Sequence, residues 1–230
     1  MCGRFTLFQP AEAITAVFQL AEVPNLEPRY NIAPTQLVPT VLHASKAQGT
    51  QSLEQNERQF QLLRWGLIPS WAKDTKMGAR LINARAETVG EKPSFRSAFR
   101  HRRCLVVADG FYEWQRQENK KQPFYFRLQN DQPFAFAGLW ERWKSPDGEE
   151  IQSCTILTTE ANDLLRSIHN RMPVILDPQD YDLWLDPTVQ KPEPLQQLLC
   201  PYQSEAMTSY AVSTQVNNPA NNSAKCINSL

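Results

Sequence analysis

Cys104-Leu105-Val106-Val107-Ala108-Asp109-Gly110-Phe111-Tyr112-Glu113-Trp114 carries most of the architecture of this chain in eleven residues. An apolar run meets an Asp-Gly pair, a dipeptide suited to tight turns. An aromatic run follows, with one carboxylate set inside it. Short apolar segments of this kind recur at Gly3–Leu7, Leu37–Leu42, Phe60–Trp65, Phe124–Leu128, Phe134–Leu139, Cys154–Thr158, Val174–Leu176 and Met207–Val212. Their β-branched and aromatic content predicts strands. Helical patterns are fewer: Ala11–Leu20 behind Pro10, Ser94–Arg102, Asn162–Ile168, Pro178–Leu185 behind Asp177, and Pro194–Leu199. Proline suits a first helical turn. Helices do not alternate regularly with strands, which argues against a doubly wound parallel sheet. The expectation is an α+β fold, a single domain over residues 1–230 with a mainly antiparallel, barrel-like β-sheet flanked by short helices. Gln48–Gln59 reads as a polar hairpin insertion, and the Asn-rich residues 217–230 as an irregular tail.

With 230 residues, the chain is long enough for one substantial core. No apolar run has the length of a membrane helix, and no secretory signal pattern opens the sequence. Five widely spread cysteines, an odd number with no CxxC pair, fit neither a disulfide framework nor a zinc site. A reducing, cytoplasmic setting follows. The 24 basic and 24 acidic residues cancel, so the chain is no general polyanion binder. Charge is unevenly placed, however. Lys73, Lys76, Arg80, Arg85, Lys92, Arg96, Arg100, Arg102 and Arg103 face only Asp74, Glu87 and Glu91 in the same stretch. Basic side chains around an apolar, aromatic segment suit single-stranded nucleic acid, and equally a solvated face.

The N-terminus is Met1-Cys2-Gly3-Arg4-Phe5. A small residue after Met1 favours removal of the Met, leaving Cys2 with an α-amine and a thiol on adjacent carbons. The α-amine has a pKa of about 7.7–8.0, so roughly a tenth is neutral and nucleophilic at pH 7. An aldehyde would form an imine with the amine and then a thiazolidine with the thiol. The alternative is a small hydrophobe opening a buried strand.

Four further segments carry candidate chemistry. Asn83, in Leu81–Thr88, has donors and an acceptor to orient a nucleophile or hold a phosphate oxygen, or is a turn residue. Glu113 sits between aromatics, where desolvation raises a carboxyl pKa into the range useful for proton transfer; otherwise it is an exposed strand residue. His169 ends the apolar helical face of Leu164, Leu165 and Ile168, with Asn170 placed as a C-terminal cap. It can shuttle protons or complement the helix dipole. Trp65–Trp71 ends a strand in a rigid aromatic turn, suited to stacking on bases or to plugging the core.

Together these segments resemble the SOS response-associated peptidase family, SRAP, also called abasic-site processing proteins. The motifs run nearly end to end: MCGRF, RYNIAPT at Arg29–Thr35, RWGLIPSW at Arg64–Trp71, LINARAET at Leu81–Thr88, ADGFYEW at Ala108–Trp114, KKQPFYF at Lys120–Phe126 and IHNRMPVIL at Ile168–Leu176. The resemblance implies covalent capture of abasic sites in single-stranded DNA. It assigns Cys2 the thiazolidine link to the ring-opened deoxyribose, and Asn83 the positioning of that nucleophile. Glu113 becomes the acid/base, and His169 the proton-transfer group in ring opening and crosslink reversal. Arg4, Arg85 and Arg171 become DNA-contacting arginines, Pro34 and Trp71 apolar contacts to the strand, and Thr158 a phosphate contact. Some relatives carry two adjacent Trp where Trp71 is followed here by Ala72. Lyase and Met1-removing peptidase activities are associated expectations. The expected protein is a monomer partnered by single-stranded DNA, with no membrane, metal or cofactor. Two other classes fit parts of the sequence: an N-terminal-nucleophile amidohydrolase, which also begins Met-Cys-Gly, and a non-catalytic single-stranded DNA reader.

Overall fold

The computed structural model describes residues 2–44, 58–118 and 120–230. Its strands are β1 (Phe5–Leu7), β2 (Arg29–Ile32), β3 (Leu37–His43), β4 (Arg58–Trp65), β5 (Asn83–Arg85), β6 (Arg103–Ala108), β7 (Gly110–Gln117), β8 (Lys120–Leu128), β9 (Phe134–Lys144), β10 (Glu150–Glu160), β11 (Arg171–Pro173), β12 (Ile175–Leu176) and β13 (Met207–Ala211). Strands β4, β3, β6, β9 and β10 are successive neighbours, and β10 returns to β4, closing a five-stranded barrel. A second sheet runs β13-β8-β7-β1-β2. Pairing is antiparallel except where β10 meets β4 and β5. The α+β, mainly antiparallel, barrel-like expectation therefore holds.

Strand β6 is the barrel's most apolar segment, and all six of its residues are buried. The two sheets meet through aromatic rings. Phe5 of β1 packs edge-on against Trp65 and Phe136, and Phe111 of β7 stacks on Phe126 and meets Phe136. Such pairs add about 0.5–1.5 kcal/mol each beyond the area they bury.

Asp109-Gly110 is not the hairpin turn that its dipeptide suggests. It is where the chain leaves barrel strand β6 and enters β7 of the second sheet. Asp109 is buried because it ties this crossing to β1. Its Oδ1 accepts from the Thr6 hydroxyl (2.5 Å), and its Oδ2 from the amides of Phe8 (2.6 Å) and Gln9 (3.0 Å). Gly110 is required by proximity: a Cβ there would lie 2.1 Å from the Tyr125 hydroxyl oxygen.

Helices α1 (Ala11–Phe18), α2 (Arg96–His101), α3 (Asp163–Arg166), α4 (Tyr181–Leu185) and α5 (Pro192–Gln196) fall within or close to the predicted segments and are shorter. Helix α3 stops at Arg166, with Ser167 rather than Asn170 as its cap. Pairing of β11 with the end of β10 draws the chain out of the helix at this point, and the Asn170 carbonyl accepts from Ala161 N (3.1 Å). The predicted insertion at Gln48–Gln59 lies outside the described residues except for Arg58 and Gln59, which begin β4. Residues 217–230 are irregular apart from Asn217, which ends the 3-10 turn Thr214–Asn217, and a second 3-10 turn, Ala224–Ile227. They are held in place by buried Cys226 and a bridge from Ser229 to Val212. Among the described residues, no helix is long and apolar enough to cross a membrane.

Candidate functional site

The residues leading into β1 run beside β7, so the N-terminus lies next to the ADGFYEW segment. Tyr112 N donates to Arg4 O across 3.0 Å, continuing the register Phe5↔Phe111. Cys2 precedes this pair by two residues and is fully buried, with its Sγ 3.8 Å from Arg4 O. On its other side stands β5, paired in parallel with β10 at Ile156↔Asn83. From there the Asn83 Nδ2 donates to the Cys2 carbonyl oxygen at 2.8 Å. The Asn83 Oδ1 is buried and has no hydrogen-bond partner among the described residues.

Glu113 is 2% exposed on β7. Burial raises its pKa, and the nearby His169 works against that rise. Burial likewise pushes the Cys2 thiol well up, and the charge of Glu113 pushes it further. The resting thiol is therefore protonated. His169 follows α3, and its Nδ1 accepts from Arg171 N at 3.0 Å. The same nitrogen lies 3.2 Å from Arg171 O, so Nδ1 is engaged by the Arg171 backbone. Glu113 and His169 share an open cavity of about 400 Å³ with Arg4, Trp114 and Asn217.

Arg4 is held by three groups. Its Nη1 donates to Asn31 Oδ1 and to Val216 O, each at 2.7 Å, and its guanidinium lies 5.9 Å from the Trp114 ring centroid. The Trp114 indole is itself fixed by Nε1 donating to Asn217 Oδ1 at 2.7 Å.

Strand β10 brings two other arginines together. Thr158 is paired with Arg85 on one side and with Pro173 of β11 on the other. Arg85 is exposed. Arg171 is mostly covered: it makes a bidentate pair with Glu87 (2.5 and 3.0 Å) and donates to Thr158 O (2.5 Å). The Arg171 hydrogen bond, more than its charge alone, holds the Glu87 carboxyl below the usual range. Thr158 itself is fully buried, and its hydroxyl points back to Ala84 O (3.4 Å). In this state it supports Arg171 rather than facing solvent.

A family model described as SOS response associated peptidase matches residues 1–219. The chain belongs to the SRAP family. It is 45% identical over 233 residues to the abasic site processing protein YoqW of Bacillus subtilis, covering all of both chains. It is 34% identical to the abasic site processing protein HMCES of Xenopus tropicalis over 87% of this chain and 66% of that one. A crystal structure of a Bacteroides thetaiotaomicron protein superposes with a TM-score of 0.83 at 27% identity, covering both chains fully.

In this SRAP chain the RWGLIPSW segment is locked beside the approach to β5. Gly66, at φ +126°, touches Gly78 backbone to backbone; a Cβ on Gly66 would sit 2.6 Å from Gly78 O. Trp65 Nε1 donates to Ile82 O at 2.9 Å, one residue before Asn83. Trp71 projects from this segment, 56% exposed. Ala72 behind it is buried, and its carbonyl accepts from Trp143 Nε1 (2.7 Å). Pro34 is half-buried in the loop between β2 and β3.

The basic run divides. Lys73, Lys76, Arg80 and Arg85 are exposed before and within the β5 approach. Arg103 is buried, donating to Trp184 O, Phe99 O, Arg100 O and Asp186 O, and Arg102 pairs with Glu141. The end of that run is structural. Sequence reasoning misses Glu87 as the partner of Arg171 and Trp114 as the platform under Arg4. Only the alternation Tyr112, Trp114, Arg116 along β7 hints at the latter.

Proposed function

We propose that this chain captures abasic sites in single-stranded DNA as a covalent adduct at Cys2. The observation that carries the proposal is the convergence of Cys2, Asn83 and Glu113, with Asn83 Nδ2 2.8 Å from the Cys2 carbonyl and Glu113 near enough to act on the thiol. The names of the relatives, abasic site processing proteins, support the same chemistry.

Met1 leaves first, by this cluster acting as a peptidase or by an aminopeptidase. The freed α-amine of Cys2 is then the nucleophile. Glu113, whose pKa burial raises above the ordinary carboxylate value, donates to the ring oxygen as the deoxyribose opens to its aldehyde. His169 returns a proton to Glu113 or takes one from it. The amine adds to C1′ and water departs, giving an imine. The Cys2 sulfur then bonds to C1′, and the thiol proton passes to the nitrogen, closing the thiazolidine. The whole sequence releases one water and uses no redox partner. Asn83 fixes Cys2 so that amine and thiol meet the same carbon, the positional part of the catalysis. Without ring closure the imine is open to β-elimination, a lyase outcome that cyclisation prevents.

A uracil-containing single strand, before and after uracil removal, tests this on a denaturing gel. A heat-stable shifted band is expected only with the abasic strand and only from protein whose intact mass shows Met1 gone. Cys2→Ala should lose that band while retaining strand scission. A stable adduct with Cys2→Ala would overturn the assignment.

A further inference from the structure

The cavity over Glu113 and His169 has a second wall that the reaction above does not use. It is built by Arg116 and Lys121, which oppose each other directly across the β7–β8 hairpin. Like charges in that position repel, and such pairs are avoided unless something neutralises them. Both side chains are exposed, and neither meets a carboxylate among the described residues.

The alternation of β7 places Arg116 on the same face as Trp114, one pleat further out. Arg4 already lies against that indole, and its Nε is buried without a hydrogen-bond partner among the described residues. Arg4, Trp114, Arg116 and Lys121 thus form one track, held by hydrogen bonds at its inner end and exposed at its outer end. Cationic side chains beside an aromatic face suit the backbone and bases of a single strand.

Placement relative to Cys2 gives the track its meaning. Asn83 reaches Cys2 from β5, and Arg85, two residues on, is paired with Thr158 beside β11, which carries Arg171. The Arg4–Arg116–Lys121 track reaches Cys2 from the other direction, through β1, β7 and β8. A strand whose lesion lies at Cys2 has nucleotides on both sides of it, and the two tracks are carried by different strands of the fold. We infer that Arg116 and Lys121 form a phosphodiester subsite for the nucleotides on one side of the lesion, distinct from the side held by Arg85 and Arg171. The inference rests on the capture reading above.

Adduct formation by the full chain is measured with three abasic strands: extended on both sides of the lesion, only 5′, or only 3′. Arg116→Gln/Lys121→Gln should slow capture about fivefold to tenfold at about 50 mM salt, on the two-sided strand and on one of the one-sided strands. The plot of log rate against log salt should flatten by about 0.7 for each phosphate that the variant leaves unneutralised. Arg116→Lys/Lys121→Arg should keep the wild-type rate. Lys144→Gln/Lys191→Gln removes the same charge from exposed sites elsewhere and should leave all three strands unaffected. Equal slowing on both one-sided strands, or none on either, overturns the subsite. Absence of any adduct from the wild-type protein refutes the capture reading instead, so the two failures are distinguishable.

Discussion

Asn83 and Cys2, 81 residues apart in sequence, are joined by a single hydrogen bond of 2.8 Å from side-chain amide to backbone carbonyl. The bond grips the main chain of the proposed nucleophile and leaves its amine and thiol untouched. Its donor stands on a strand paired with the barrel at Ile156, so the position of Cys2 is set from the barrel.

Replacing Asn83 by Ala removes one half-buried hydrogen bond, worth about 1 kcal/mol in stability. The effect on capture is expected to be larger, about 10- to 100-fold, since small misplacements of a reacting group cost that much. Asn83→Asp should do worse than Ala, because a carboxylate oxygen would face the Cys2 carbonyl oxygen. Single-turnover adduct rates beside thermal melts check both. Equal losses of rate and stability across the two variants would show Asn83 to be only a structural residue.

Arg171 presents a different case, since its charge is already answered by Glu87 in the DNA-free protein. Glu87 is half exposed, so the pair adds little stability, at most about 1 kcal/mol. Glu87→Gln should therefore leave the melting temperature nearly unchanged and free Arg171 for phosphate. Binding of an undamaged single strand is expected to tighten about two- to fivefold at low salt, with the advantage fading as salt screens the site. Fluorescence anisotropy over a salt series measures this. Weaker binding would mean that Glu87 holds Arg171 in its DNA-contacting pose.

How much of this could be read from the sequence depends on the length scale of each contact. Strands such as β6 are legible because Cys104–Ala108 are all apolar and buried. Strands β2, β5 and β11 are only three or four residues long, and they exist because β1 or β10 pairs with them at long range. No local pattern reports that. The RYNI and NAR segments of β2 and β5 are visible only as motifs shared with a family. The same holds at the site. Glu113 between aromatics announces its own desolvation, whereas the burial of Thr158 and the Glu87–Arg171 pair arise from the crowding of β5, β10 and β11. Asn170 shows the opposite error: a residue well suited to a cap is overridden by a strand pairing that begins at the next residue, Arg171.

Asp109 is a buried carboxyl outside the proposed chemistry, and it has a pH signature of its own. Burial raises its pKa to about 6 against its hydrogen bonds from Thr6, Phe8 and Gln9. A carboxyl that holds its proton more tightly when folded stabilises the fold below its unfolded pKa of about 3.9, and that contribution is lost as pH rises through about 6. Over that window the loss is on the order of 3 kcal/mol. Asp109→Asn can keep the network. Its Oδ1 would accept from Phe8 and Gln9, and its Nδ2 would donate to the Thr6 oxygen, which lies 3.2 Å from Gly110 O and can donate there. The variant should fold and should lack this decline. Urea unfolding at intervals from pH 4 to 7 is expected to show wild type losing stability relative to Asp109→Asn across pH 4–6, with parallel curves above it. Parallel curves throughout would mean that Asp109 is ionised at every pH tested and that its three hydrogen bonds outweigh its burial.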